Sequence, residues 1–310
     1  MFDALSPLDP NHLMICFRIL IAASLTLGLS VPSKGAAPAA PAPEAKPTDS
    51  ASKSVLTGTL VDPINVDLNW KTDLPNVEGH FVEYTSDPKD DWVILGILSA
   101  DTSTYRHPDL APETKFIYRV RPYFGKPSKV AEVTTGKTPA NPGEGLEGDN
   151  EPVADKPDAE ALAKKKSLRD PGTSAEAAPV DFTITPVSPV SMKLSWKDMS
   201  KDEDGYLLEG TSDPALGFAV IGFFPANTVS FIIPNLPPNT KCFFRTRAFY
   251  YGPASNSVEK TTGQEPPGYF QKKEAEAAAA EAEAQKAAEA KAKAAPAVDA
   301  KAESEVKPKP

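Results

Sequence analysis

The residues best equipped for chemistry in this chain are carboxylates. Asp87, Asp90 and Asp91 stand beside Trp92 in the run TSDPKDDW, and TSDP returns at Thr211 to Pro214, with Asp213 as the counterpart of Asp87. Paired acids suit glycoside hydrolysis, which needs two carboxyl groups roughly 5 to 9.5 Å apart across a sugar. The second copy, however, has Leu216, Gly217 and Phe218 in place of Asp90, Asp91 and Trp92. An acid cluster written once in a duplicated chain is expected to be a solvated turn. Ser and Asp bond local backbone and Pro fixes its own φ, so TSDP serves to redirect the chain after a strand.

The other candidates point the same way. His80 and His107 lie neither in HExxH nor beside paired cysteines, and the second copy has Tyr206 and Ile233 in their places, so no metal site is expected. GxSxG, P-loop and dinucleotide fingerprints are missing from the sequence. Gly96 and Gly222 are isolated in strand patterns and suit bulges or close backbone contacts. Cys242, in the apolar run KCFF, reads as a small buried hydrophobe rather than a nucleophile. The chain is therefore expected to be non-enzymatic, with no catalytic residue, cofactor or metal.

The elements that position these residues come in two blocks between stretches of other texture. From Met14, a second possible start, the chain reads Arg18, an apolar run from Ile19 to Val31 and small residues to Gly35, the order of a secretory signal peptide. That run is shorter than the ~20 residues a bilayer span needs, which favours cleavage over an uncleaved anchor. Residues 1–35 are thus read as signal, 36–54 as a Pro/Ala stalk, 137–178 as an acidic flexible linker and 264–310 as a charged Ala-rich tail, partly helical or disordered. A short helix is expected within the linker from Asp158 to Leu168. A formal net charge of -9 without a basic stripe argues against nucleic acid as a partner.

The blocks at 55–136 and 179–263 alternate apolar and polar residues in seven short runs each. At a constant offset of 126, Trp70 meets Trp196, Gly79 meets Gly205, Glu83 meets Glu209, and Arg119 and Arg121 meet Arg245 and Arg247. One inserted residue later, TTG at 134–136 meets TTG at 261–263. This is a duplicated all-β domain. Alternation puts Phe116, Tyr118 and Val120 on one face and the arginines on the other, with Cys242, Phe244 and Thr246 as the second copy's inner set. Trp70 and Trp196 are expected at the centres of the two cores.

The order of these residues resembles the fibronectin type III family over just over half of the chain. Copy one carries Trp70, Gly79, Val82, Tyr84, Leu110, Pro112, Thr114 and Thr134; copy two carries Trp196, Gly205, Tyr206, Leu208, Leu236, Pro238, Thr240 and Thr261. The resemblance implies two seven-stranded immunoglobulin-like sandwiches, each folding as a separate domain and moving independently on the linker. It also marks departures. The corner tyrosine of the family is Phe116 here and Cys242 in the second copy, and the family's Arg-Gly-Asp loop motif is absent.

An exported protein of this kind is expected to act as a spacer or protein-interaction scaffold, secreted or periplasmic, with an extracellular or envelope protein as partner. Two alternatives stay open: a glycan-binding accessory protein, and a surface protein held by an uncleaved amino-terminal segment, the one case that brings membrane contact. The candidate contact residues are Tyr123, Phe124, Phe249, Tyr250 and Tyr251 in what read as exposed loops, and Trp92, which serves equally as a core residue opening a strand. The paired arginines read as a solvated cross-strand ladder.

Overall fold

A computed structural model describes residues 54–137, 151–269 and, with gaps, 271–286. The signal, the stalk to residue 53, linker residues 138–150 and the tail beyond 286 lie outside the described residues.

Each repeat forms seven strands. They are β1 (Ser54–Asp62), β2 (Asn65–Thr72), β3 (Gly79–Thr85), β4 (Val93–Ser99), β5 (Thr104–His107), β6 (Lys115–Phe124) and β7 (Ala131–Thr134) in the first. In the second they are β9 (Val180–Ser188), β10 (Ser191–Lys197), β11 (Gly205–Thr211), β12 (Ala219–Phe224), β13 (Thr228–Ile233), β14 (Lys241–Tyr251) and β15 (Val258–Thr261). Between them the linker supplies β8 (Val153–Ala154) and α1 (Ala159–Lys164), whose amino-terminal cap is the side chain of Asp158. The helix ends at Lys164, short of the expected Leu168, because Lys166 instead bonds across to Met199.

TSDP is a turn in both copies. Thr85 and Thr211 each donate from the hydroxyl to the carbonyl of the Asp two residues on, while the Asp87 and Asp213 carboxylates accept backbone N–H groups of Lys89 and Ala215 at 3.0 and 2.9 Å. The two glycines mark bulges: pairing slips between Val82 and Glu83 opposite Gly96, and between Leu208 and Glu209 opposite Gly222. Trp70 and Trp196 are buried in separate cores, the first with Leu68, Val82, Tyr118 and Val120, the second with Leu194, Tyr206, Leu208 and Phe244. Phe116 and Cys242 are buried in the first and second cores, and burial pushes the Cys242 thiol up to about 11, which keeps it protonated and inert.

The pairing of the last strands corrects the expectation of two discrete sandwiches joined by a flexible linker. β7, the final strand of the first repeat, pairs with β14 of the second, and β15, the final strand of the second, pairs with β6 of the first. The two sandwiches therefore exchange closing strands. Body one is β1–β2–β5 against β4–β3–β6–β15, and body two is β8–β13–β10–β9 against β12–β11–β14–β7. The TTG copies are exchanged with them: Thr262 bonds Thr114 and Gly263 bonds Pro63, while Thr135 bonds Thr240 and Gly136 bonds Pro189.

One consequence is that, among the described residues, the chain passes between bodies at 124–128 and 251–255. There the two passing segments pair with each other, Phe124 opposite Tyr250 and Tyr123 opposite Tyr251, with Gly252 N–H donating to Pro122 at 2.8 Å. Gly125 has a φ of 132°, and a Cβ there would lie 2.1 Å from the Ala248 carbonyl oxygen, so this crossing needs glycine. The linker, by contrast, starts and ends on body two. Its described part is docked: Leu168 and Ala177 are fully buried in that core, Leu168 N–H donates to the Asp202 carboxylate, and Lys165 pairs with buried Asp198 at 2.6 Å.

Candidate interaction surface

The outward faces of the β3–β6 and β11–β14 pairs are where the arginines and most of the candidate aromatics emerge. Alternation assigned the arginines away from the sandwich cores correctly, but these faces meet each other instead of solvent. Phe81, Tyr123, Leu207 and Phe249 form a third buried cluster, with Ile94, Ile97, Val220 and Tyr251 packed around it. Phe81 contacts Tyr123, Phe223, Phe249 and Tyr251 with ring centroids between 4.8 and 5.9 Å apart.

The arginines are likewise not a solvated ladder. Glu83, 1% exposed, takes Arg119 at 2.7 Å and Arg121 at 2.6 Å; Glu209, 2% exposed, takes Arg247 at 2.7 Å and also Arg245. Arg247 then spans the joint, bonding Glu78 of body one at 2.9 Å and the Gly125 carbonyl. The remaining guanidinium faces are covered by rings: Arg119 lies 4.0 Å over Trp92, Arg121 3.6 Å over Tyr251, and Arg245 4.2 Å over Phe218. One acid, two arginines and one or two aromatics thus recur on each side of the joint.

The six candidate contact residues divide accordingly. Tyr123 and Phe249, 2% and 0% exposed, belong to β6 and β14 rather than to loops, and are closed to an external partner in this arrangement. Tyr251 and Trp92 are half-buried beneath their arginines. Phe124 and Tyr250 are half-buried and stacked on one another at 5.1 Å and 20°, covering the paired crossings. Phe223, 44% exposed beside Phe81 and Phe249, is an accessible aromatic that the sequence reading did not single out; its place in an apolar run, AVIGFF, hid it.

The carboxylates and histidines are used structurally. Among the described residues no group of three or more His, Cys, Asp or Glu side chains is placed to hold a metal ion. A recess of about 410 Å³ between α1 and body two is lined by Asp155, Asp158, Lys165, Lys197 and Asp198, and its buried charges are already paired with each other. His107 packs among Tyr84, Phe116 and Tyr118, with the Tyr118 hydroxyl 3.1 Å from Nδ1, and burial pulls its pKa down to about 4. Burial lowers His80 as well. His107 stays neutral in the fold down to about pH 4, and His80 is shifted in the same direction, whereas the unfolded chain takes up protons below the ordinary value of 6.5. Stability is therefore expected to be full above pH 6.5 and to fall as the pH drops towards 4. Urea midpoints across that range check this, with H107F expected to flatten the dependence and an unchanged slope counting against it.

No helix among the described residues is long and apolar enough to cross a membrane. No family model matches the chain, and no curated protein does. Among solved structures, the FN1–FN3 domains of chicken CNTN1 match at 17% identity over 67% of this chain and 66% of that one, with a TM-score of 0.22. A fibronectin type III domain from the human KIAA0970 protein matches at 15% over 23% of this chain and 61% of its own, TM-score 0.20. Pectate lyase PelI from Erwinia chrysanthemi matches at 21% with a TM-score of 0.22, and this chain spans only 23% of that enzyme. The likeness to fibronectin type III and immunoglobulin-like sandwiches is distant and partial. At these scores it decides nothing further, and the architecture rests on the strand pairings.

Proposed function

We infer that this chain is a non-catalytic spacer or protein-interaction module, exported to the cell envelope or beyond, in which two sandwiches are held as one stiff unit. The observation that carries this reading is the double crossing: two paired segments, exchanged closing strands and a buried aromatic joint connect the bodies. A spacer needs a fixed separation, and a joint with its own apolar core supplies one where a flexible linker does not. The Ala/Pro stalk and the charged tail then serve as extensions at either end. Export is the reading that the apolar run from Ile19 to Val31 supports.

Small-angle scattering of the full chain tests the stiffness. The expected profile is that of a single two-body particle with one inter-body distance, unchanged by salt. A broad distribution of separations would overturn the reading. The glycan-binding alternative is favoured by one feature, the stacked and half-exposed Phe124–Tyr250 pair. Binding on a glycan array that is lost in Y250A would favour it over the spacer.

A further inference from the structure

We propose that β15 acts as an exchangeable arm, and that a second copy of this chain is a partner, its β15 filling the edge of β6 in place of the chain's own. This names a partner for the interaction module inferred above and rests on that reading only for its use in the cell; the exchange itself rests on strand pairing.

The edge of β6 from Lys115 to Tyr118 is closed by residues 258–261, which lie far along the chain and reach it through body two. A strand delivered from so far away is not held by a hairpin of its own. Any chain that carries β15 presents the same register, Val258 opposite Tyr118 through Thr261 opposite Lys115. The anchors are local to the arm: Val258 against the first core, Ser255 exchanging bonds with the Val120 backbone, Asn256 bonding both N–H and carbonyl of Leu56, Thr262 bonding Ala111 and Thr114, and Gly263 bonding Pro63. The segment that precedes the strand, 252–257, contains Gly252 and Pro253 and has no regular structure. Beyond the strand, Tyr269 and Lys273 bond Asp109, so strand and tail base dock on body one as one terminal arm.

Identical contacts are made whether the arm comes from the same chain or another, and reciprocal exchange of two arms closes a two-fold dimer with no free edge. The balance is set by effective concentration. A tethered arm competes at a local concentration on the order of millimolar, so dilute chains close on themselves, and chains crowded on a surface or refolded together at high concentration link in pairs.

Two single variants in chains carrying C16A and C242A, K115C and T261C, test this, because these exposed positions face each other in the strand pair. Mixed, unfolded and refolded under oxidising conditions at millimolar concentration, they are expected to give an interchain disulfide whose yield falls steeply with dilution. The double variant K115C/T261C should close within one chain when dilute. Intrachain closure of the double variant with no interchain product from the mixture would overturn the proposal. So would closure of K115C/T134C, the pairing of an unexchanged first repeat. Light scattering on the unaltered chain refolded over the same concentrations gives an independent reading: a species of twice the chain mass supports the exchange, and its absence throughout sinks it.

Discussion

A fragment spanning residues 124–252 is expected to fold cooperatively by itself and to outlast, in urea, the fragment 179–263 that the sequence repeat delimits. The first contains all the strands of body two, including β7 on the edge of β14, together with β8 and the docked linker. The second must close β14 with β15, which pairs elsewhere in the intact chain, and it lacks Leu168 and Ala177, both fully buried in the core of body two. Leaving the Leu168 site empty alone is comparable to a large-to-small core change, about 2 to 5 kcal/mol. Loss of the Lys165 partner also strands Asp198 in the interior without its cation. Fragment 124–252 does expose Phe249 and Leu207, which lowers its solubility but removes nothing from its own sandwich core. Midpoints in urea, followed by far-UV circular dichroism, check the order. If 179–263 is the more stable fragment, the exchanged pairing is not the favoured one.

The reason such a boundary could not be drawn from the sequence lies in the repeat itself. Alternation made the strands, the inner faces of β6 and β14 and the two core tryptophans legible, because each depends on local period alone. Pairing partners are not local. β7 and β15 end in the same TTG and come from copies of one domain, so either can dress either edge, and nothing in their composition distinguishes the choices. The hinge residues carried the available signal: Gly125–Lys126–Pro127 and Gly252–Pro253 replace a tight hairpin with an extended crossing. Leu168, one of three scattered leucines in an acidic Pro-rich stretch, gave no period to read. For the joint, alternation showed that the arginines point outward, but it neither placed Tyr123 and Phe249 in the strands that carry them nor showed that the outward faces of two sheets would find each other.

Replacing Glu209 with glutamine is expected to destabilise the full chain by about 3 to 5 kcal/mol, whereas D67N should cost under ~1 kcal/mol. Both acids hold arginines with hydrogen-bonded geometry, and they differ in surroundings. Arg106 opposite Asp67 keeps 62% of its side chain in solvent, so water replaces the lost partner. Arg247 opposite Glu209 is 3% exposed and cannot be rehydrated in place. Losing the carboxylate leaves Arg245 and Arg247 facing a neutral amide, with Glu78 and the Gly125 carbonyl as the remaining acceptors for Arg247. Because Arg247 bonds across the joint, the loss should appear at the contact between bodies as well as in global stability. Amide exchange of Gly252 and Ser255, whose N–H groups bond Pro122 and Val120, is expected to quicken in E209Q and to stay unchanged in D67N. A shift below ~1 kcal/mol in E209Q, with exchange at the crossings unaltered, would mean that the aromatic cluster holds the bodies together and the buried charges only fill space between them.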